Sequence, residues 1–186
     1  MKRAALGALL LAVLAIVAVA GLSARAPSGD GTGAFVPEEF FDGRVAGEGT
    51  VTRFWIWTTP FQNRFEGRRA GPEFLLDENF VFADGTPRQV WRFEAGEGGR
   101  YSGDVSTEGK DKRMAPPQPI TGLLDADGFH VEYLGYAPNG GTTLLRFRHD
   151  LAGQADGSVV NTVRISWWGI PVARSRAVFT VQPDGP

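Results

Sequence analysis

The chain of 186 residues contains no cysteine and only two histidines. The absence of cysteine excludes disulfides, a thiol nucleophile, a lipid-modified cysteine and any metal site built from thiolates. A folded domain of this composition therefore depends on its hydrophobic core alone.

The chain also lacks an excess of positive charge. Apart from Lys2, Arg3 and Arg25, residues 27–186 hold 16 of the 19 basic residues against 21 acidic ones. A nucleic-acid-binding domain would show a basic stripe or basic residues interleaved with aromatic ones. We therefore expect no nucleic-acid partner.

Motifs for common chemistry are missing too. There is no phosphate loop, dinucleotide fingerprint or nucleophile elbow. His130 falls on the expected outer face of its strand, and neither it nor His149 has metal-ligand spacing. His149 and Asp150 are adjacent, so they would face opposite sides of a strand. The sequence predicts no cofactor, no metal and no catalytic site.

The N-terminus carries a targeting segment. Lys2 and Arg3 precede an apolar and glycine run of 19 residues, Ala4 to Leu22, and Ala24-Arg25-Ala26 fits a cleavage site. This length suits either a cleaved signal peptide over residues 1–26 or an inner-membrane anchor. In both cases the positive end stays cytoplasmic, so the rest is exported to the periplasm or to the periplasmic face of the inner membrane.

A glycine-rich polar segment follows. Residues 27–34 predict a flexible tether, which we extend to residue 39. The folded region is expected to start near Phe35 or Phe40, with a β-barrel domain over residues 40–183.

The rest of the chain is typical of an all-β protein. Scattered glycine and proline suit many turns, and no convincing amphipathic helix is present. Consecutive alternating segments favour an antiparallel up-and-down barrel of about eight or nine strands, or a sandwich. The nine segments are 44–57, 61–68, 73–83, 86–95, 100–107, 129–136, 144–149, 159–167 and 172–181.

Residues 108–124 interrupt this pattern. The stretch is too rich in proline for a central strand. It predicts a long loop, which is either a solvated connection or a flap over one end of the barrel.

One hairpin is predicted in detail. Asp84-Gly85 suits a two-residue type I′ turn, with Ala83 opposite Thr86. This register sets Glu78 opposite Trp91 on one face. On the other face it pairs two opposite charges, Asp77 and Arg92.

Glu78 is the odd residue on this otherwise apolar face, which it shares with Phe80. A buried carboxylate must be paired, hydrogen-bonded or protonated. The partner could be Arg53 or Asn161. The site hypothesis is a polar anchor in an apolar ligand cavity, formed by Glu78, Trp91, Phe80, Arg53 and Asn161. The alternatives are a purely structural buried pair, or a strand twist that exposes Glu78.

Four tryptophans lie near strand ends. Core packing is the simpler interpretation for Trp55, Trp57 and Trp167, whereas Trp168 suits an exposed turn. They could instead ring the barrel mouth or touch a bilayer interface, where tryptophan is enriched.

Several short blocks of the sequence carry a family resemblance. They are Phe40-Phe41-Asp42-Gly43, Leu76-Asp77-Glu78 with Phe80, Asp84-Gly85, Arg88 with Trp91, Tyr101-Ser102-Gly103-Asp104-Val105, and Asn161 followed by Trp168-Gly169. In these blocks the chain resembles a family of uncharacterised bacterial envelope proteins, domain of unknown function 3833, whose members are often lipoproteins. The resemblance implies a lipocalin-like (calycin-like) barrel and no activity. The chain departs from the family in having no lipobox cysteine and in the stretch Arg148-His149-Asp150.

Three hypotheses for function follow. The first is a non-enzymatic envelope protein that binds a small apolar or amphipathic, lipid-like molecule inside the barrel. The second is an interaction module with a filled core that binds another envelope protein. The third is an isomerase or hydrolase that uses Glu78 as acid or base. A cavity of several hundred Å³ would favour the first over the second.

Overall fold

The computed structural model describes residues 35–138 and 140–183. Ten strands form a closed antiparallel barrel in which neighbours in sequence are neighbours in space and β1 pairs with β10. A short helix, α1 (Pro37–Phe40), precedes it. The strands are β1 (Gly43–Arg53), β2 (Trp57–Ala70), β3 (Glu73–Val81), β4 (Arg88–Ala95), β5 (Arg100–Thr107), β6 (Gln118–Asp125), β7 (Gly128–Gly135), β8 (Leu145–Gly153), β9 (Val159–Trp167) and β10 (Ile170–Val181).

The predicted signal or anchor segment, residues 1–26, and the first part of the tether, 27–34, lie outside the described residues. From residue 35 onward, no described helix has the length and apolar character needed to cross a bilayer.

The all-β barrel is confirmed, but the strand count is ten instead of eight or nine. The additional strand is β6, which begins inside the segment predicted as a loop or flap. Pro119 lies opposite Asp104 of β5, and the ladder to β7 begins only at Ile120. Pro119 therefore has a paired neighbour on one side only, a position where proline's missing N–H is tolerated.

The tether prediction is wrong for residues 35–39. Phe35 packs edge-on against Phe40, with ring centroids 5.5 Å apart, and also contacts Phe129 of β7. Pro37 is almost fully buried. Residues 35–41, which include α1, form a plug over one end of the barrel.

The predicted β3–β4 register is also wrong. Phe82 pairs with Gly85, so Ala83 and Asp84 form the turn. Neither turn residue has the positive φ that a type I′ turn requires. The observed pairing is offset by two residues from the expected one, so that Glu78 faces Gln89 and not Trp91. Because side chains alternate with a period of two, this offset leaves every side chain on its predicted face.

Partners across this hairpin change accordingly. Glu78 lies opposite Gln89, and Asp77 lies opposite Val90. Asp77 forms its ion pair with Arg88 and not with Arg92.

Aromatic side chains fill the interior near the plug. Phe65 contacts Phe179 at 4.9 Å and Phe41 at 5.2 Å between ring centroids. Tyr101 contacts Phe129 at 4.8 Å. Phe65 and Phe179 come from β2 and β10, which flank β1, and Tyr101 and Phe129 come from β5 and β7, which flank β6. Each of these two contacts therefore packs across one intervening strand.

The opposite end carries exposed aromatic residues in two adjacent turns. The first segment predicted as a strand, 44–57, is broken after β1, and the turn exposes Trp55 by 57% and Trp57 by 61%. In the β9–β10 turn, Trp167 is 47% exposed and Trp168 is 88% exposed. Core packing is therefore wrong for the first three tryptophans, and the exposed turn is right for Trp168.

The close packing of β4 and β5 predicts that replacing Gly103 destabilises the fold. A Cβ on Gly103 would lie 1.9 Å from the carbonyl oxygen of Arg92 and 2.7 Å from Cα of Phe93. Gly103→Ala should lower the free energy of unfolding by about 1–3 kcal/mol, measured by urea denaturation. Gly96→Ala is the matched control, because its nearest neighbour would be 3.5 Å away. Equal stability of the two variants would contradict the close contact.

Candidate functional site

A set of polar side chains crosses the middle of the barrel interior, and we call it the polar belt. Its members lie at inward-facing positions of seven strands, β2 to β5 and β7 to β9, between the aromatic residues near the plug and those near the opposite end. Most are buried, and Gln89 and Asn63 are among the most buried side chains of the described residues. The members are Asn63, Glu78, Gln89, Trp91, Thr107, Tyr133, His149 and Asn161.

Glu78 is the centre of the polar belt. The amide of Asn63 donates to its Oε1 at 2.6 Å, and the indole N–H of Trp91 donates to its Oε2 at 3.0 Å. Burial disfavours the charged carboxylate more than these two bonds favour it, so the pKa of Glu78 rises to about 8. Glu78 is therefore mainly protonated at neutral pH.

The observed hydrogen-bond partners of Glu78 differ from the two residues predicted from the sequence, Arg53 and Asn161. Arg53 is exposed at the end of β1 and is not its partner. Asn161 points inward, as expected, but its hydrogen bond goes to His149. The partners are Asn63 and Trp91. Trp91 was expected directly opposite Glu78, yet its indole reaches Glu78 diagonally from the position opposite Leu76.

A second part of the polar belt lies between β4, β5 and β7. The amide of Gln89 donates to Oγ1 of Thr107 at 2.8 Å. Tyr133 lies near Gln89, and its pKa is raised, first by burial and then by nearby Glu78. Tyr133 therefore stays a neutral hydroxyl group.

The third part is the pair of His149 and Asn161. Nδ2 of Asn161 lies 3.3 Å from Nδ1 of His149. An amide nitrogen only donates, so Nδ1 accepts and the proton of the neutral ring sits on Nε2. Burial lowers the pKa of His149 to about 4, which keeps the ring neutral. The His149 ring stacks on Tyr133 at 5.7 Å and meets Trp91 edge-on at 5.8 Å.

Three buried polar atoms of the polar belt have no hydrogen-bond partner among the described residues. They are Oδ1 of Asn63, Nε2 of His149 and Oδ1 of Asn161. The last two belong to residues that line an internal cavity of about 60 Å³. Buried polar groups are nearly always bonded, so these atoms mark the unsatisfied positions of the site.

The cavity lies between the polar belt and the plug. Pro37 and Phe41 of the plug form its outer wall, and Glu78 and Trp91 lie on its inner side. The remaining lining residues are mostly apolar, including Phe65, Leu76, Phe93, Ile120, Phe129, Val131, Leu151 and Phe179.

The structure brings together some of the site residues predicted from the sequence and adds others. Phe80 faces inward but stacks on Phe82 with ring centroids 5.9 Å apart, outside the cavity lining. Asn63 was not singled out, and His149 was considered only as a possible metal ligand or catalytic residue. The alternation of Phe61, Asn63 and Phe65 could have placed Asn63 inside, and Phe147 and Leu151 give the same signal for His149.

The outer face of β7 and β8 holds a separate group of charges. His130 lies there as expected, with Nδ1 2.8 Å from Asp150. In residues 35–138 and 140–183, no cluster of three or more His, Asp or Glu is placed to hold a metal ion.

The family model described as "Protein of unknown function (DUF3833)" matches residues 16–180. The chain belongs to this family. The match spans the predicted blocks from α1 to β10 and so agrees with the resemblance noted in the sequence. A search of curated proteins finds no sequence match for this DUF3833 member.

Solved structures show a similar fold. Rv2717c from M. tuberculosis has 14% identity and a TM-score of 0.55, covering 80% of this chain and 99% of its own. The S-type phycobiliprotein lyase CPES from Guillardia theta has 11% identity and a TM-score of 0.55, covering 83% of this chain and 97% of its own. At these identities, the similarity extends to the fold alone.

The raised pKa of Glu78 predicts a pH-dependent stability. The folded state holds the proton between pH 4.5, the ordinary value, and about 8, so stability falls as the pH rises through this range. Glu78→Gln should match the wild type near pH 4 and exceed it at pH 9 by a few kcal/mol, because each pKa unit is worth about 1.4 kcal/mol. Denaturation curves across pH measure this difference.

Asp77→Asn is the matched control, since Asp77 is the neighbouring carboxylate on the outer face of β3. It should leave the slope above pH 5 unchanged. A Glu78→Gln variant that keeps the wild-type slope would show that Glu78 is ionised in the fold.

His149 predicts the opposite trend in acid. Its folded pKa of about 4 lies below the ordinary 6.5, so the unfolded chain binds the extra proton and stability is lost as the pH falls from 6.5 to 4. His149→Phe should remove this part of the pH dependence, whereas His130→Phe on the outer face should keep it. Thermal unfolding at a series of pH values checks both. An unchanged acid slope in His149→Phe would contradict the buried neutral ring.

Proposed function

We propose that this protein is a non-enzymatic barrel of the bacterial envelope that binds a small amphipathic molecule in its interior. The observation that carries the proposal is the pair of unpartnered polar atoms on His149 and Asn161, in residues that line a mainly apolar cavity. Ligand pockets commonly combine apolar walls with a few placed polar groups.

The chemistry of these atoms defines the ligand's polar group. Nε2 of His149 offers an N–H, and Oδ1 of Asn161 offers an acceptor. A hydroxyl, an amide or a protonated carboxyl group can satisfy both. Since Glu78 and His149 are each held in their neutral forms, the site favours a neutral group over an ion.

Cavity volume limits how the ligand binds. A cavity of about 60 Å³ has room for a few water molecules, which suits a polar group but not an attached apolar chain. The larger part of a ligand would therefore displace the plug. Helix α1 has only four residues, and among the described residues one side-chain hydrogen bond joins it to the barrel, from Tyr101 to Glu38 at 2.8 Å.

Location in the envelope rests on the N-terminal sequence. Lys2, Arg3 and the apolar segment 4–22 support export, with or without retention as an inner-membrane anchor. A lipid-like ligand would agree with that location, because such molecules are abundant there.

Glu78 supports binding better than catalysis. Both of its carboxyl oxygens accept hydrogen bonds, from Asn63 and from Trp91. These bonds fix the group in one orientation and leave it a polar anchor of the polar belt.

A second candidate function is an interaction module with a packed core. The small cavity and the aromatic packing of the interior favour it. It requires no internal ligand, so the same experiment separates the two functions.

The test is native mass spectrometry of the protein purified gently from its own host. The wild type should carry a stoichiometric small molecule, and Asn161→Leu should lose most of it because the acceptor is gone while the volume is kept. Thr162→Ala, on the outer face of the same strand, should retain it. A wild-type protein without any bound molecule, also after exposure to fatty acids and isoprenoids, would support the packed interaction module instead.

A further inference from the structure

Exposed apolar side chains are concentrated at one end of the barrel. Successive strands are antiparallel, so the β1–β2, β5–β6, β7–β8 and β9–β10 connections all lie at the end opposite the plug. Nine of the thirteen large apolar side chains that are exposed in the described residues belong to this end. The nine are Phe54, Trp55, Ile56, Trp57, Met114, Leu144, Trp167, Trp168 and Ile170.

Seven of these nine come from two turns that lie side by side at the ends of β1 and β10. The backbone N–H of Phe54 donates to the carbonyl oxygen of Val172 at 2.9 Å. Arg53 pairs with Ala173 in the β1–β10 ladder just below the turns. We call the two turns, residues 54–57 and 167–170, the aromatic tip.

The backbone of the aromatic tip is strained. Phe54, Trp55 and Trp168 have φ values of 47°, 61° and 50°. This left-handed region is unfavourable for bulky residues, whereas glycine and asparagine adopt it readily. A turn built only for stability would not place aromatic residues there. Such strain is characteristic of functional positions.

Unpaired positive charge lies beside the aromatic tip. Arg53, Arg174 and Arg176 are exposed on β1 and β10, and none of them forms an ion pair with a described carboxylate. The acidic residues in connections at this end, such as Asp84 and Glu108, belong to the β3–β6 side of the barrel. The surface around the aromatic tip is therefore basic.

We propose that the aromatic tip docks the barrel onto a lipid bilayer that carries anionic headgroups. Tryptophan favours the interface between headgroups and acyl chains, and arginines close to that depth attract anionic lipids. Two pointed turns offer little flat area to a rigid partner, but a fluid bilayer needs no complementary shape. The apolar segment 4–22 independently brings the chain to a membrane in the sequence-based prediction.

The test uses the chain from residue 27 onward, because every strand of the barrel pairs within residues 43–181. Sedimentation with sucrose-loaded vesicles is measured for equal amounts of phosphatidylcholine and phosphatidylglycerol, and for phosphatidylcholine alone. The wild type should bind the mixed vesicles more tightly. Arg174→Ser with Arg176→Ser should weaken that binding by about fivefold per arginine and leave the weaker binding to phosphatidylcholine unchanged.

The decisive variant is Trp55→Asn with Trp168→Asn. Asparagine accepts the left-handed backbone, so thermal unfolding should occur at an equal or higher temperature than in the wild type. Binding to mixed vesicles should fall by about tenfold or more, because it scales with the apolar area inserted. Leu123→Asn with Val181→Asn removes exposed apolar side chains elsewhere on the barrel and should bind as the wild type does.

Two results would overturn the proposal. One is a folded wild type that sediments with neither kind of vesicle. The other is a folded Trp55→Asn and Trp168→Asn variant that binds as tightly as the wild type. In either case the aromatic tip would be a contact for another protein. Neither result bears on whether a molecule occupies the internal cavity.

Discussion

The β1–β10 ladder closes the barrel, and the interior and the aromatic tip both depend on this closure. Every other ladder joins consecutive strands, whereas this one joins Val45 to Val181. Glycine makes the close approach possible, since a Cβ on Gly49 would lie 2.6 Å from the carbonyl oxygen of Arg176. A Cβ on Gly47 would overlap the ring of Phe179, which fills the space instead. The same ladder brings together two turns that are more than one hundred residues apart in sequence.

Within the closed barrel, burial controls the charge of the polar belt. It raises the pKa of the acid Glu78 and lowers the pKa of the base His149, so both are neutral at the same pH. The belt is therefore a hydrogen-bonding surface and not an ion pair. That distinction matters for recognition, because a neutral polar surface in an apolar cavity discriminates by the arrangement of donors and acceptors.

Alternation along the sequence predicted the faces of the strands well and their partners poorly. Glu78 and Asn161 were correctly placed inside, because side chains alternate along a strand whichever partner it has. The two-residue error in the β3–β4 pairing therefore did not change the face of Glu78. The hydrogen-bond partners of Glu78 and Asn161 lie diagonally across neighbouring strands, and a local sequence pattern does not show such contacts. Strand β6 was missed because its proline-rich sequence argued against a central strand. Pro119 lies at the start of the ladder, where proline is tolerated. Trp55 and Trp57 were assigned to the core because alternation does not show where the chain turns back.

Because the barrel is closed, the chain could in principle begin at any of its strands while all ten ladders are kept. Arg44 and Pro183 meet through a 3.0 Å hydrogen bond from the guanidinium to the carbonyl oxygen, and the N–H of Gln182 donates to Arg44 at 2.8 Å. The two ends of the barrel are thus neighbours, and a short linker could join them while a new opening is made elsewhere. Such circular permutation would turn the long-range β1–β10 pairing into a local hairpin. Another pair of strands would then form the long-range pairing, which costs more chain entropy and forms late in folding. The order in which this barrel folds is then a property of where its chain is cut, and not of the sheet itself.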